Sequence, residues 1–359
     1  MKRQRILAFM LIALALISVF AVSCKDEPKV YTKIDLGDGE TLEVEVIDGK
    51  VTLPEGPEKT GYNFVKWTVD GVDAKAADKV EYREGMVIKP VYEKKKFKVS
   101  FTSNVGITTT PESVTVEYGD KVTDPGAVTP TLDNGKEFDY WAAGEKKFDF
   151  DKDVITADTV FTAVWKYKTY TIGSDGPAGG IVFYDAGSEK TVTYRDENGQ
   201  TVTRTWRYLE VAKENAKDGT TTTFEWSEDD GDFGTSDDIG YGCYNTYKIV
   251  EQYKRSATED SKIPAAKAAA DYKTSKTEYT DWYLPNDGEV HELGEYLNDK
   301  DDNFLGFTGG QYWTSSESGT ENAQTLYMAT TSGTPSKLSQ GYSSASRSSL
   351  FPVRAIRQF

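Results

Sequence analysis

A single histidine, His291, and two cysteines, Cys24 and Cys243, limit the chemistry open to this chain. His291 stands beside Glu292 with no second histidine for a metal. Nothing in the pattern marks a nucleophile or an orienting acid for a Ser-His-Asp arrangement. His291 is therefore read as a surface residue of a helix. The paired carboxylates of a glycosidase are not singled out either, because Asp and Glu abound throughout. No catalytic residue is assigned, and the chain is expected not to be an enzyme.

Residues suited to binding fall into two groups. Asp229, Asp230, Asp232, Asp237 and Asp238 lie in a Gly-punctuated loop, the kind of segment from which Ca²⁺ collects oxygens. The loop lacks the twelve-residue spacing and closing Glu of an EF-hand. A solvated acidic loop is the preferred reading, and calcium is the one candidate cofactor. Glu321, Asn322, Gln340, Tyr342, Ser344 and Arg347 lie in a small, polar, poorly patterned stretch over 313–353. Tyr and Ser together suit adaptable recognition; ordinary surface loops are the other reading. The run Gly176-Pro177-Ala178-Gly179-Gly180 is not a phosphate loop, since it precedes a strand and lacks a Lys-Ser/Thr pair.

The elements that must carry these residues are mostly strands. Tyr, Trp and Thr are plentiful among many glycines. Lys2, Arg3 and Arg5 precede an apolar run from Ile6 to Val22, which is an export signal rather than a folded element. Ala21-Val22-Ser23-Cys24 resembles a bacterial lipobox, with Ala21 where leucine is commonest. The resemblance implies a lipid on Cys24 as the membrane anchor, no other segment being apolar enough to span a bilayer. Only Cys243 then remains, so packing rather than a disulfide must hold the mature chain. A net charge of −16 argues against nucleic acid as a partner.

Two stretches of similar design follow. In the first, Leu42, Val44 and Val46 lead to Gly49-Lys50-Val51, Pro54, Gly61-Tyr62-Asn63-Phe64-Val65-Lys66-Trp67 and Val87–Tyr92. In the second, Val114 and Val116 lead to Gly119-Asp120-Lys121-Val122, Pro125, Gly135–Trp141 and Val160–Trp165. Phe64 and Trp67 fall on Phe138 and Trp141 at one common offset. Period-two alternation around glycine turns makes each a small sheet with one buried face, its aromatics acting as a core plug. These landmarks resemble the Listeria–Bacteroides repeat, the B-repeat type of internalins, which implies a β-grasp-like module used as a spacer or for weak adhesion. Lys136 stands where Tyr is usual, and Pro90-Val91-Tyr92 replaces the usual Ala-x-Trp close.

From Thr169 the character changes. Tyr194 to Tyr208 predicts a hairpin turning at Asp196–Gly199, and Trp206–Ala212 continues as a strand. Helices are expected over 263–272 and 287–297. Asp281–Pro285 is read as an aromatic strand, with Asn286 or Asp287 capping the helix that follows. Glu289 is expected to take buried hydrogen bonds, with Arg354 and Arg357 available to pair with acids. Six ordered motifs resemble the family named for the C-terminal domain of the Legionella collagen-like adhesin. They are Gly179–Tyr184, Tyr208–Ala212, Gly240-Tyr241-Gly242-x-x-Asn245-Thr246, Asp281–Glu289, Tyr312–Glu317 and Val353–Phe359. That resemblance implies an α+β domain related to C-type-lectin-like folds and to formylglycine-generating enzymes. Those enzymes use a cysteine pair, so their activity is not carried over.

The expected organisation is a signal over 1–23, a tether over 24–30, repeats over 31–94 and 95–168, and a lectin-like domain over 169–359. The expected role is a lipid-anchored adhesin or ligand-binding protein of the outer membrane or cell surface, facing a host or matrix glycan or protein. A structural envelope lipoprotein without a specific ligand is the second reading, and a glycan- or protein-modifying enzyme the third. Residues 170–359 carry 18 Lys and Arg against 30 Asp and Glu, which disfavours an anionic polysaccharide.

Overall fold

The computed structural model describes residues 29–359 except 38, 197, 230, 259–260, 299–304 and 331–337; for 330 and 338–340 it describes the backbone alone. The signal segment, Cys24, Asp230 and the side chain of Gln340 therefore lie outside the described residues. The protein is β-rich and multidomain, with several small sheets. Among the described residues no helix is long and apolar enough to cross a membrane.

One compact unit comprises the described residues up to Lys98 with Thr115–Val122 and Lys152–Asp158. Its strands are β1 (Val30–Gly37), β2 (Glu40–Ile47), β3 (Lys50–Thr52), β4 (Tyr62–Val69), β5 (Val72–Ala74), β6 (Lys79–Glu81) and β7 (Ile88–Lys94). They form two antiparallel sheets, ordered β1-β2-β3-β6 and β5-β4-β7. Asp48-Gly49 and Asp70-Gly71 turn two of the hairpins with positive φ at both residues, the backbone that matches the strands' right-handed twist. Ile34, Val51, Leu53, Trp67 and Ile88 fill the core. The Trp67 indole donates to Pro54 O at 2.8 Å, so its polar atom is satisfied inside.

The strands β8 (Lys96–Thr102) and β9 (Val114–Glu117) pass from one unit to the other along the chain. The second unit holds most of the second repeat and all of the C-terminal region. Here β10 (Lys136–Ala143) pairs with β11 (Lys146–Lys147) and with β12 (Thr159–Tyr167), and β12 runs parallel to β8. The two repeats match in detail. Phe64 and Phe138 each tilt against their tryptophan at a centroid distance of 5.4 Å. Both pairs sit beside a bulge, at Phe64/Lys66 and at Phe138/Tyr140. Trp141 donates to Gly126 O at 2.9 Å. The paired aromatics are core plugs.

Beyond them, β13 (Ile181–Arg195) and β14 (Thr201–Val211) form the expected hairpin, pairing Arg195 with Thr201 across the turn. Three helices follow: α1 (Gly242–Ser256), α2 (Ala265–Ala270) and α3 (Asp287–Asn298). The strands β15 (Gly310–Glu317), β16 (Asn322–Thr330) and β17 (Leu338–Ser346) make one sheet, and β18 (Ile356–Gln358) returns to lie beside β14. The stretch expected as a strand over 281–285 contributes one bridge, Tyr283 to Ile356. Its remaining backbone is claimed elsewhere, Leu284 N by Thr246 Oγ1 and Pro285 O by Ser315 N.

Within the second unit the repeat packs directly on the C-terminal region. Gly135 has φ +78°, and a Cβ there would stand 2.5 Å from the Phe359 ring. Tyr279 donates its hydroxyl to Asp133 O at 2.7 Å, and Lys136 pairs with Glu189 at 2.8 Å. Gly135→Ala is expected to cost about 1–3 kcal/mol, from a left-handed backbone and a crowded ring together. Denaturant unfolding followed through Trp141 and through the C-terminal tryptophans should show both signals shifted in that variant. A shift in the repeat alone would mean the two parts unfold separately.

Candidate functional site

Arg347 is buried rather than displayed. Its guanidinium lies 4.5 Å over the Trp226 ring and 5.2 Å over Phe233. It donates to Glu317 at 2.7 Å, to Gly319 O at 2.9 Å and to Gly231 O at 2.8 Å. Such a forked cation, stacked and bonded on all sides, is a fastening for the loops around it. Glu317 completes the fastening by accepting from the backbone N–H of Phe233 and Thr235. Arg347 thus positions the acidic loop and presents nothing to a ligand.

The other members of the polar stretch lie on or beside β16 and β17. Asn322 opposes Ser346, and Ser344 opposes Gln324. Glu321 and Ser344 are exposed. Tyr342 is 41% exposed, with its ring 5.2 Å from that of His291. His291 is exposed on α3, as expected. The described acidic residues do not form a cage. Asp229 accepts from Ser256 at 2.7 Å, Asp232 caps its own turn at Gly234 N, and Asp237 and Asp238 are exposed beyond it. Among the described residues no group of three or more His, Cys, Asp or Glu is disposed to hold a metal.

The acidic loop instead forms one wall of a groove of about 430 Å³. The tip of the β13–β14 hairpin contributes Arg195 and Asp196, and the loop contributes Asp229, Asp232 and Phe233. The floor is α1, through Tyr244, Tyr247, Lys248, Glu251, Gln252 and Arg255. Tyr194 stacks on Tyr244 at 4.7 Å, and the Lys248 ammonium lies 4.5 Å from the Tyr244 ring. Lys248 also donates to Gly234 O, tying helix to loop. Aromatic rings set among amide, carboxylate and cationic groups suit a ligand with both apolar faces and hydroxyls.

These helix residues were missed because α1 has no capping side chain at Tyr241 and opens on two glycines. A signal existed in the spacing. Cys243, Thr246, Ile249 and Val250 are buried, while Tyr244, Tyr247, Lys248 and Glu251 form the opposite stripe. Lys254 and Arg255 in the last turn suit the helix dipole.

What fixes the start of α1 is Glu289, wholly buried. Its carboxylate accepts from Gly240 N at 3.0 Å, Tyr283 Oη at 3.0 Å and Asn286 N at 2.9 Å. Asn286 Oδ1 in turn accepts from Glu289 N at 3.0 Å, a reciprocal cap on α3. A Cβ on Gly242 would stand 2.1 Å from the Glu289 carboxylate, which explains that glycine. A second buried acid, Glu210, organises the glycine-rich run. It accepts from Ala178 N at 3.2 Å and Gly180 N at 2.9 Å, and pairs with Arg357 at 3.0 Å. Arg357 also meets Asp281 at 2.6 Å, as expected of a pairing arginine. Arg354 differs: it serves Asn215 and the carbonyls of Ala212 and Leu305. Burial pushes the Cys243 thiol up to about 12, far from thiolate reactivity at neutral pH.

Residues 36–85 and 97–164 match the model of the Listeria-Bacteroides repeat domain. A Gly-rich membrane protein of Evansella cellulosilytica is 30% identical over 152 residues, which are 41% of this chain and 17% of that protein. A second membrane protein of the same organism is 31% identical over 146 residues, covering 39% of this chain and 21% of its own length. The chain thus spans about a fifth of the length of these relatives.

Burial pushes the Glu289 carboxyl up to about 7, against the donors that favour its charged form. The folded state therefore holds this proton more tightly than the unfolded chain does. The resulting stability is present in full below the ordinary carboxyl value and is lost as pH rises through 7. Glu289→Gln is expected to remove roughly 3 kcal/mol of that pH dependence. Denaturation midpoints at pH 5 and pH 8 check it; equal pH slopes in wild type and variant would exclude it.

Proposed function

We propose that this chain is a membrane-anchored surface protein whose C-terminal region is a lectin-like head that binds glycan in the α1 groove. The observation that carries the reading is the groove itself, where Tyr244, Tyr247 and Phe233 stand among Asp229, Asp232, Gln252 and Arg255. Sugar rings present apolar C–H faces to aromatics and hydroxyls to planar polar groups, so this mixture fits them better than an acidic polymer. In this reading the repeats are β-grasp-like spacers, and a lipid on Cys24 is the tether. The membrane-protein names of the two relatives and the repeat matches support a place at the cell envelope. Adhesion to a host or matrix glycan, without turnover, is the corresponding role.

Binding of the mature chain to immobilised glycans, followed by calorimetry on any hit, tests this reading. Tyr247→Ala should weaken binding about tenfold or more, with folding unchanged by circular dichroism. Unchanged affinity in that variant, with loss on joint substitution of Tyr342 and Ser344, would move the site to the β16–β17 sheet. Silence across all glycans would favour a structural envelope protein instead.

A further inference from the structure

A second cleft lies within the same unit, where the second repeat meets the C-terminal region. It measures about 350 Å³, and its walls include Asn104, Asn134, Lys136, Tyr167, Arg204 and Gln358. Donors dominate these walls. The one acid on them, Asp281, is already engaged by Arg357 at 2.6 Å. Lys136 is matched by Glu189 at 2.8 Å, and Arg357 also by Glu210 at 3.0 Å.

Arg204 is different. Half-buried on β14, it has no ion pair among the described residues, although the chain carries an excess of acids. Its polar neighbours are the Tyr194 hydroxyl, to which it hydrogen-bonds, and the Asp281 carboxylate, which Arg357 shares. One carboxylate between two guanidiniums leaves the Arg204 fork short of acceptors, which an incoming anion supplies. On the walls of the same cleft, the Tyr167 hydroxyl is buried and has no hydrogen-bond partner. The Lys136 ammonium lies 4.4 Å from the Tyr167 ring, so it engages the ring face. Asn134 uses its oxygen on Lys136 N, which leaves its amide to donate. Val105 and the Phe359 ring supply an apolar wall.

We propose that this cleft binds a small carboxylate, with the Arg204 guanidinium as its two-pronged partner and the Tyr167 hydroxyl as a further donor. A planar carboxylate matches the arginine fork, and the apolar wall suits a short hydrocarbon or ring body on the same molecule. This site is independent of the α1 groove and uses none of its residues.

The test is titration of the mature chain with acetate, succinate and benzoate at constant ionic strength. Sulfate and phosphate serve as further arms and chloride as the control. The readouts are the Arg204 Nε–H resonance and the thermal midpoint. A saturable shift of that resonance by at least one carboxylate below about 10 mM is expected. Arg204→Gln and Tyr167→Phe should each weaken it about tenfold, while Tyr247→Ala leaves it unchanged. No saturation by any carboxylate, or an undiminished response in both cleft variants, would overturn the proposal. Equal saturation by sulfate or phosphate would overturn the carboxylate assignment. Should Arg204→Gln fail to fold, Tyr167→Phe alone decides.

Discussion

A carboxylate removed from water must find a donor for each oxygen, and the C-terminal region is arranged around two that do. Glu210 and Glu289 sit in different parts of the core, yet both are met chiefly by backbone N–H groups at glycine-rich turns. Backbone can come that close only where side chains are absent. The glycines at 176, 180 and 242 all face a carboxylate oxygen that a Cβ would collide with. These acids decide where the first strand of the hairpin begins and where α1 begins.

The surface follows from that interior. Glu289 sets the start of α1, α1 supplies the floor of the groove, and Arg347 with Glu317 holds the opposing loop. Charged groups near the groove therefore divide into two kinds. Arg347 and Glu317 are stacked and saturated, while Asp232 and Arg255 stand exposed on the rim. The groups beneath the groove are polar, buried and bonded, and those on its rim are polar and wet.

Much of the strand architecture was legible because strand signals are local. Glycine turns, period-two alternation and the repeated Phe-x-x-Trp placed the repeats, and the 194–208 hairpin fell where its turn residues required. The capping of α3 by Asn286 and Glu289 was also readable, since caps act over three residues. What escaped was long-range. A helix without a capping side chain hid behind two glycines whose reasons lie far off in the chain, Trp206 for Gly240 and Glu289, 47 residues later, for Gly242. Arg347 was taken for a binding residue because its type and polar neighbours suggest exposure. Only the approach of Trp226 and Phe233, more than a hundred residues away, makes it interior. The acidic loop was read as a solvated loop, with calcium as the other reading; its place as a groove wall depends on α1 and the hairpin tip, which lie elsewhere in the chain.

The pairing of β18 with β14 has a kinetic side. Arg357 and Glu210 face each other across that register while separated by 147 positions along the chain. Glu210 has the Ala178 and Gly180 N–H groups nearby, but its one opposite charge comes from the end of the chain. Closing so long a loop before any reward is gained slows folding. This contact within the C-terminal region therefore forms only once nearly all of its length is available.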